Sequence, residues 1–271
     1  MKNKIAIIAN RDDVLFLKPF EDLLKSRKDI SKVYYTDFFT PGSNKTEYAK
    51  QSFKLMSKMF IAHYMVLSVF KFILRYLPIS LKYKKNASLV HLCQFYGLEL
   101  IRVESVNSPM FISQMKEHSI NTLLSITSQI YKTEILNIPN LKIYNFHPSL
   151  LPNNKGRFPI FWAIMKNERN GLSCHVVNEK IDDGEVINQI KLPRVSEVSE
   201  GMNNVFEHFG DFISDSIDII DGTKEAITGG NYPSFYGATP KDLDVMNYKL
   251  NLKQTKPSIP AYFMRAITKQ H

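Results

Sequence analysis

The sequence is poor in the residues that build several common kinds of functional site. It has two cysteines among 271 residues, Cys93 and Cys174, and they do not form a CxxC pair. Two separated cysteines argue against a disulfide-stabilised fold and against a zinc or redox motif. The seven histidines are scattered along the chain without the short spacing of metal ligands, so we expect no metal site.

Glycine is also scarce, with 11 residues, and none lies where a nucleotide-binding loop would need it. The first apolar stretch, residues 5–9, is followed by Asn-Arg-Asp-Asp at 10–13, with neither GxGxxG nor GxxxxGK. Both motifs depend on glycines because the backbone must approach a phosphate closely. This absence disfavours a nicotinamide-dependent enzyme and a P-loop kinase.

Acidic side chains are outnumbered. The chain has 35 Lys and Arg against 26 Asp and Glu, which gives a formal net charge of +9 at pH 7. Such an excess favours an anionic partner, whether a phosphorylated small molecule, a nucleic acid or an acidic lipid, and does not distinguish among them.

Apolar residues are plentiful, at 44%, so the chain can fold around a sizeable core. The N-terminal apolar stretch is too short for a signal peptide, so we expect a cytoplasmic protein. Residues 59–69 are almost wholly apolar but bracketed by basic residues, and about 20 apolar residues are needed to cross a bilayer. We therefore expect no stable membrane insertion.

The helix predicted at 59–77 carries a narrow polar stripe. Polar residues recur there at i, i+4, i+7 and i+11, and they are Tyr64, Ser68, Lys71 and Arg75. We expect the apolar face of this helix, which includes Met59, Val66, Val69, Ile73 and Leu77, to pack on protein, either the domain core or a second subunit. Attachment to a membrane surface is the alternative.

Strand and helix patterns alternate along the first 193 residues. Strands are predicted at 4–9, 32–36, 99–103, 121–126 and 141–146, followed by an antiparallel pair at 172–177 and 185–192. Helix patterns separate the parallel strands, and the longest covers an insertion at about 45–96. The prediction is an α/β fold with a doubly wound, mostly parallel sheet over residues 1–193. Residues 194–271 are predicted to form a small C-terminal appendage with a long helix and an aromatic tail.

Two short stretches hold candidate catalytic residues. Period-2 alternation puts Asn145 and His147 on the same side of a strand end, where an amide can stabilise an oxyanion while an imidazole moves a proton. Further on, Asp182 or Asp183 offers a carboxylate on a tight turn between two strands. The structural alternatives are loop capping by Asn145 and His147 and an ordinary Asp-Gly turn. Ser149 lacks a G-x-S-x-G elbow, so no serine triad is predicted.

The order of these motifs resembles that of the N10-formyltetrahydrofolate-dependent formyltransferases. The resemblance rests on N-x-H-P-S-L-L-P at 145–152, K-G at 155–156, P-x-x-W-A at 159–163 and I-D-x-G-x-V-I at 181–187. It covers residues 99–193 well and residues 1–36 only by pattern. It implies a Rossmann-like formyltransferase fold, with Asn145, His147 and Asp182 as the catalytic residues. Asp182 is preferred over Asp183 because the family carries its acid two residues before the glycine.

The resemblance also implies how the site works. Asn145 would hold the formyl oxygen, His147 would shuttle a proton between the attacking amine and folate N10, and Asp182 would orient His147. His175 matches a histidine of some family members and is interpreted as structural. The cofactor-binding candidates are Leu124, Ser128, Gln129, Ile130, Ile181 and Asp183. The substrate-binding candidates are Asn10, Arg11, Lys155, Arg157 and Phe158.

Length and the C-terminal pattern separate the subfamilies. The long insertion and short aromatic tail resemble the nucleotide-sugar N-formyltransferases, which implies a nucleotide-diphosphate amino sugar as acceptor, as in lipopolysaccharide and O-antigen biosynthesis. The alternatives are a methionyl-tRNA formyltransferase-like enzyme and a formyltetrahydrofolate hydrolase. We expect a homodimer that uses folate as cosubstrate and has no nucleic-acid partner.

Overall fold

A computed structural model describes residues 3–11, 14–36, 45–227 and 231–252, with only the backbone of residues 45–49. The strands are β1 (Ile5–Asn10), β2 (Ile30–Thr36), β3 (Leu100–Arg102), β4 (Thr122–Ile126), β5 (Lys142–His147), β6 (Lys155–Gly156), β7 (Gly171–Val176), β8 (Val186–Lys191) and β9 (Tyr236–Gly237). The helices are α1 (Leu17–Ser26), α2 (Lys45–Leu55), α3 (Lys58–Tyr76), α4 (Leu81–Lys84), α5 (Leu89–Phe95), α6 (Pro109–Glu117), α7 (Thr133–Leu136), α8 (Pro159–Met165), α9 (Val198–Ile220) and α10 (Asp242–Leu252).

Seven strands form the main sheet in the order β3-β2-β1-β4-β5-β7-β8. The first five are parallel, and β7 and β8 complete one edge as an antiparallel pair. This confirms the predicted α/β architecture and the antiparallel edge. In sheets of this kind ligands bind beyond the carboxyl ends of the parallel strands.

Both faces of the sheet are covered. Along β1, Ile5, Ile7 and Ala9 belong to the largest hydrophobic cluster, whereas Ala6 and Ile8 belong to a second cluster on the other face of the sheet. Side chains that alternate between two buried faces explain why β1 is a continuous apolar run instead of an alternating one.

The long helix α9 packs into the same core as the sheet, so residue 193 does not mark a break in packing. Phe209 makes edge-to-face contacts with Phe16, at 5.7 Å between ring centroids, and with Phe146 on β5, at 6.0 Å. Phe212 contacts Phe146 in the same way, at 6.1 Å. The helix therefore supports the strand that carries the candidate catalytic residues.

Helix α10 lies in the segment that was predicted to be an aromatic tail. Tyr248, 1% exposed, accepts a hydrogen bond from the Val198 N–H at 2.9 Å and donates one to the Leu55 carbonyl at 3.2 Å. One buried hydroxyl thereby joins α10 to the ends of α9 and α2.

Helix α3 does not turn its apolar face to the domain core, so that part of the prediction is wrong, whereas packing of this face on a second subunit stays a prediction. Of the apolar residues expected to be buried, Val66 is 68% exposed, Val69 56%, Ile73 53% and Leu77 41%. The polar stripe makes the contacts with the protein instead, because its long basic side chains reach carbonyl oxygens of neighbouring segments.

Candidate active site

Strand β5 carries Asn145 and His147 to the carboxyl edge of the sheet. In the register of the neighbouring strands, Asn145 lies opposite Ser125 of β4 and His175 of β7. Asn145 is partly exposed, whereas His147 is 6% exposed. The predicted placement of both residues at a strand end agrees with the structure.

The turn between β7 and β8 brings Asp182 against this strand end. Asp182 has a φ of +49°, in the left-handed region, and its Oδ2 accepts a hydrogen bond from the Gly156 N–H at 2.8 Å. A Cβ at Gly184 would lie 1.7 Å from the Val176 carbonyl oxygen. Only glycine therefore lets the turn approach β7 closely enough to place Asp182 here.

Two histidines face the Asp182 carboxylate. His147 Nδ1 is 3.6 Å from Asp182 Oδ2, and His175 Nε2 is 3.6 Å from Asp182 Oδ1. Asp183 instead points outward and pairs with Lys155. The structure thus brings together Asp182, and not Asp183, with the candidate catalytic histidine.

The hydrogen bonds of His147 indicate its tautomer. Its Nε2 lies 2.9 Å from the carbonyl oxygen of Asn154, an acceptor only, so Nε2 donates. In the neutral ring Nδ1 is then an unprotonated acceptor that faces Asp182. A proton taken up by Nδ1 would lie between the imidazole and the carboxylate.

Burial and charge act in opposite directions on the pKa values of this pair. Burial lowers the pKa of His147, although Asp182 and the Asn154 carbonyl oppose that effect. Burial by itself would raise the pKa of Asp182, but His147, His175 and the Gly156 N–H lower it to about 2. Near neutral pH the site therefore holds a carboxylate beside a neutral imidazole that can accept a proton.

His175 is a part of the site that the sequence interpretation treated as structural. Its Nδ1 donates to the Val176 carbonyl at 3.1 Å, so its Nε2 can accept from Asn145 Nδ2 at 3.3 Å. His175 thereby fixes the orientation of the Asn145 amide, and its Nε2 lies 3.6 Å from Asp182 Oδ1.

The side-chain amide of Asn145 is held in one orientation, and one of its two N–H donors is not used within the protein. Its nitrogen carries two hydrogens, and the bond to His175 takes one of them. The second is available to a carbonyl oxygen of a substrate. An oriented amide donor beside a neutral imidazole is suited to acyl transfer to an amine, because one group stabilises negative charge and the other accepts a proton.

The C-terminal segment covers the loop beside this cluster. Strand β6 pairs in parallel with β9, and the Trp162 indole donates to the Ala238 carbonyl at 2.9 Å. The exposed Arg157 reaches Thr239 at 3.2 Å, and Phe158 is partly buried with a φ of +54°. Lys155, Arg157 and Phe158, which were predicted to bind substrate, therefore lie in a segment that also packs against the C-terminal part of the chain.

Asn10 and Arg11 end β1 at the same edge of the sheet. Asn10 Oδ1 accepts from Thr36 and Thr127 at 3.0 and 2.9 Å, and its Nδ2 donates to Ser128 at 3.4 Å. The Arg11 guanidinium lies 5.7 Å from the centre of the Tyr35 ring. Asn10 therefore connects the carboxyl ends of three neighbouring strands.

The predicted cofactor residues differ in their accessibility. Leu124 is fully buried in the larger hydrophobic cluster, so its placement in a pocket wall is corrected: its side chain packs the core. Gln129 is 6% exposed, and its Oε1 accepts from the Val106 N–H at 3.0 Å. The accessible candidates are Ser128, Ile130, Ile181 and Asp183.

A cavity of about 560 Å³ borders the loop that follows His147. Leu150 and Asn153 of that loop contribute to its wall. The wall also contains the ring of Tyr232 and three basic side chains, Arg169, Lys191 and Arg194. Its one acidic side chain, Glu168, is paired with Lys166 at 3.1 Å. Such a lining is suited to an anionic ligand with a flat ring. Within the described part of the chain, no group of three His, Cys, Asp or Glu side chains could hold a metal ion.

Comparisons with known proteins agree with the fold and the motifs. Residues 81–210 match the family described as formyl transferase. The chain is similar to the methionyl-tRNA formyltransferase of Bacteroides fragilis, with 29% identity over 99 residues, which are 36% of this chain and 31% of the relative. The match therefore spans about a third of that relative's length.

Two solved structures share the fold at low identity. One is a phosphoribosylglycinamide formyltransferase from Anaplasma phagocytophilum, with a TM-score of 0.56, 14% identity, and coverage of 88% of this chain and 100% of that chain. The other is a sugar N-formyltransferase from Shewanella, with a TM-score of 0.51, 17% identity, and coverage of 86% of this chain and 75% of that chain.

Proposed function

We propose that this chain, whose residues 81–210 match the formyl transferase family, transfers a formyl group from N10-formyltetrahydrofolate to an amine. The observation that carries this proposal is the cluster at the end of β5, where Asn145, His147, His175 and Asp182 form one connected group. No serine or cysteine nucleophile is needed, since the acceptor amine is itself the nucleophile.

The residues around the cluster fit a folate cosubstrate. Ile130 and Ile181 are 61% and 43% exposed on loops, which offers apolar surface to a flat heterocycle. Gln129 Nε2 is buried and has no hydrogen-bond partner among the described residues. When bound there, the folate supplies the formyl carbon on N10 and takes up the proton that the amine loses.

Asn145, His147 and Asp182 have different roles in the proposed reaction. As the amine nitrogen bonds to the formyl carbon, negative charge grows on the formyl oxygen, and Asn145 Nδ2 donates to it. His147 takes a proton from the amine, and Asp182 stabilises the resulting imidazolium because its carboxylate remains ionised. The bond from the formyl carbon to N10 then breaks, and the proton passes to N10.

We propose a nucleotide-diphosphate amino sugar as the acceptor. The 560 Å³ cavity beside the loop after His147 supports this, because Arg169, Lys191 and Arg194 can neutralise phosphates and Tyr232 can stack on a base. A surface-glycan precursor is the corresponding biological product.

The second candidate acceptor is methionyl-tRNA, because the curated relative from Bacteroides fragilis carries that name. A panel of nucleotide amino sugars and methionyl-tRNA, each mixed with the purified protein and formyl-folate, distinguishes the two by folate absorbance. Turnover with an amino sugar is expected. Turnover only with charged tRNA would overturn the acceptor assignment, and turnover without any amine would indicate a hydrolase.

A further inference from the structure

Helix α3 presents an apolar face to the exterior. Val66, Phe72 and Tyr76 are 68%, 57% and 75% exposed, and the neighbouring large side chains on this face are similarly accessible. A continuous exposed surface of this kind on a soluble domain marks an interaction site. We refer to residues 65–79 with these outward side chains as the α3 face.

The orientation of the helix is held by its polar stripe. Lys71 Nζ lies 3.4 Å from the Val14 carbonyl, and Arg75 Nε donates to the Ala87 carbonyl at 2.9 Å. At the start of the helix, Phe60 is 1% exposed, and the Ser57 N–H donates to Ser199 at 3.1 Å. These contacts keep the apolar side chains on the opposite side, away from the core.

The excess of basic residues lies in the segment of the sequence that contains this helix, where Lys54 and Lys85 pair with Asp242 and Glu21 from other segments. Residues 48–98 contain eight Lys and Arg and no Asp or Glu. The rest of the chain has 27 basic and 26 acidic residues, so nearly the whole net charge of +9 belongs to this segment. Lys58 and Lys82 are exposed at the two ends of the α3 face.

We propose that the α3 face docks on an anionic membrane surface, with the helix axis in the plane of the membrane. Apolar and aromatic side chains would enter the interface while the flanking lysines contact acidic headgroups. A second copy of the chain fits less well, because a symmetric contact would bring two uniformly basic segments together. In this helix the basic residues lie at the two ends of the apolar α3 face, and the polar stripe on the opposite side stays narrow.

The same helix is long and apolar enough to cross a membrane by length and composition. A spanning position would break the bonds of Lys71 and Arg75 to the protein and expose Phe60. Docking in the membrane plane keeps both hydrogen bonds and leaves Phe60 buried. We therefore place the helix on the surface of the bilayer.

Vesicle flotation of the purified full chain tests this proposal. The protein is expected to float with vesicles of phosphatidylcholine and phosphatidylglycerol, but not with phosphatidylcholine alone. Val69→Asp should reduce the floated fraction at least tenfold, whereas Met110→Asp, at a similarly exposed apolar side chain on α6, should not. Lys58→Gln with Lys82→Gln should weaken binding about tenfold or more. Lys116→Gln with Lys142→Gln is the matched control.

Thermal melts and size-exclusion chromatography complete the test. Each variant should melt at nearly the wild-type temperature, since the changed side chains are exposed. Absence of flotation, or flotation that Val69→Asp does not reduce, would overturn the proposal. A wild-type dimer that does not float and that Val69→Asp dissociates would identify a second copy as the occupant.

Discussion

At the residue scale, the electrostatics of His147 predict a pH dependence. Burial lowers the pKa of this imidazole, so the neutral form that accepts a proton persists below the usual range. The turnover rate should be constant near neutral pH and should fall on the acid side as His147 becomes protonated. A pH–rate profile of kcat measures this, and a profile without an acid limb would remove His147 from proton transfer.

Asp182 predicts a pH-dependent contribution to stability. Its pKa is lowered from 3.8 to about 2, so its ionised form stabilises the fold above the unfolded-state value. That contribution, about 2 kcal/mol, should be lost as the pH falls from about 5 to 2. The Asp182→Asn variant should not show this part of the loss in the free energy of unfolding at acid pH. The same variant should have a lower kcat with little change in KM. Urea unfolding at several pH values would contradict the account if both proteins lost stability in parallel.

The residues also show what a sequence reveals about a site and what it does not. The family resemblance favours Asp182 over Asp183, because the family carries its acid two residues before the glycine, and the structure places Asp182 beside His147. His175 and Leu124 could not be placed correctly. The role of His175 depends on which strand lies opposite Asn145, and that of Leu124 on the packing that buries both faces of β4. Both are properties of the assembled sheet.

At the scale of the elements, the turn between β7 and β8 determines where the carboxylate lies. Gly184→Ala would put a Cβ 1.7 Å from the Val176 carbonyl, so the turn must shift and carry Asp182 away from His147. We expect a loss of stability of about 2 kcal/mol or more and a large fall in kcat. Gly222→Ala is the control, since its Cβ meets nothing within 4 Å and only its φ of +73° is strained. Equal effects of the two variants on kcat would contradict this role of the turn.

Element prediction succeeded for the sheet and failed for the orientation of α3. Alternating strand and helix patterns predicted the parallel sheet and its antiparallel edge because burial on both faces leaves long apolar runs. For α3 the polar stripe was identified, but its side of the helix was misassigned. Hydrophobic periodicity alone assumes that apolar faces turn inward, whereas Lys71 and Arg75 bond to carbonyl groups of the protein body.

At the scale of the whole molecule, Tyr248 connects segments that are far apart in sequence. Tyr248→Phe would leave the Val198 N–H and the Leu55 carbonyl without this partner in a buried place. We expect a loss of about 1–3 kcal/mol in the free energy of unfolding, with catalysis retained in the folded protein. Chemical denaturation measures this, and an unchanged midpoint would show that α10 is not coupled to the core.

The net charge of the chain and the basic residues around the candidate substrate cavity are different features of the molecule. An excess of +9 was compatible with a diphosphate substrate, but eight of these charges lie in residues 48–98 around α3. The basic side chains that suit an anionic acceptor are instead a small local group around the cavity. Composition reports a total, and only the fold shows where the charges are.

Formyl transfer by the wild-type protein and by single variants of the cluster, measured under identical conditions, tests the roles of Asn145 and His147. The account predicts that Asn145→Ala lowers kcat by about 10²–10³ and that His147→Ala lowers it strongly, with cooperative melting retained. His208→Ala, at an exposed histidine on α9, should leave kcat unchanged. Folded Asn145 and His147 variants that transfer the formyl group at the wild-type rate would contradict the account.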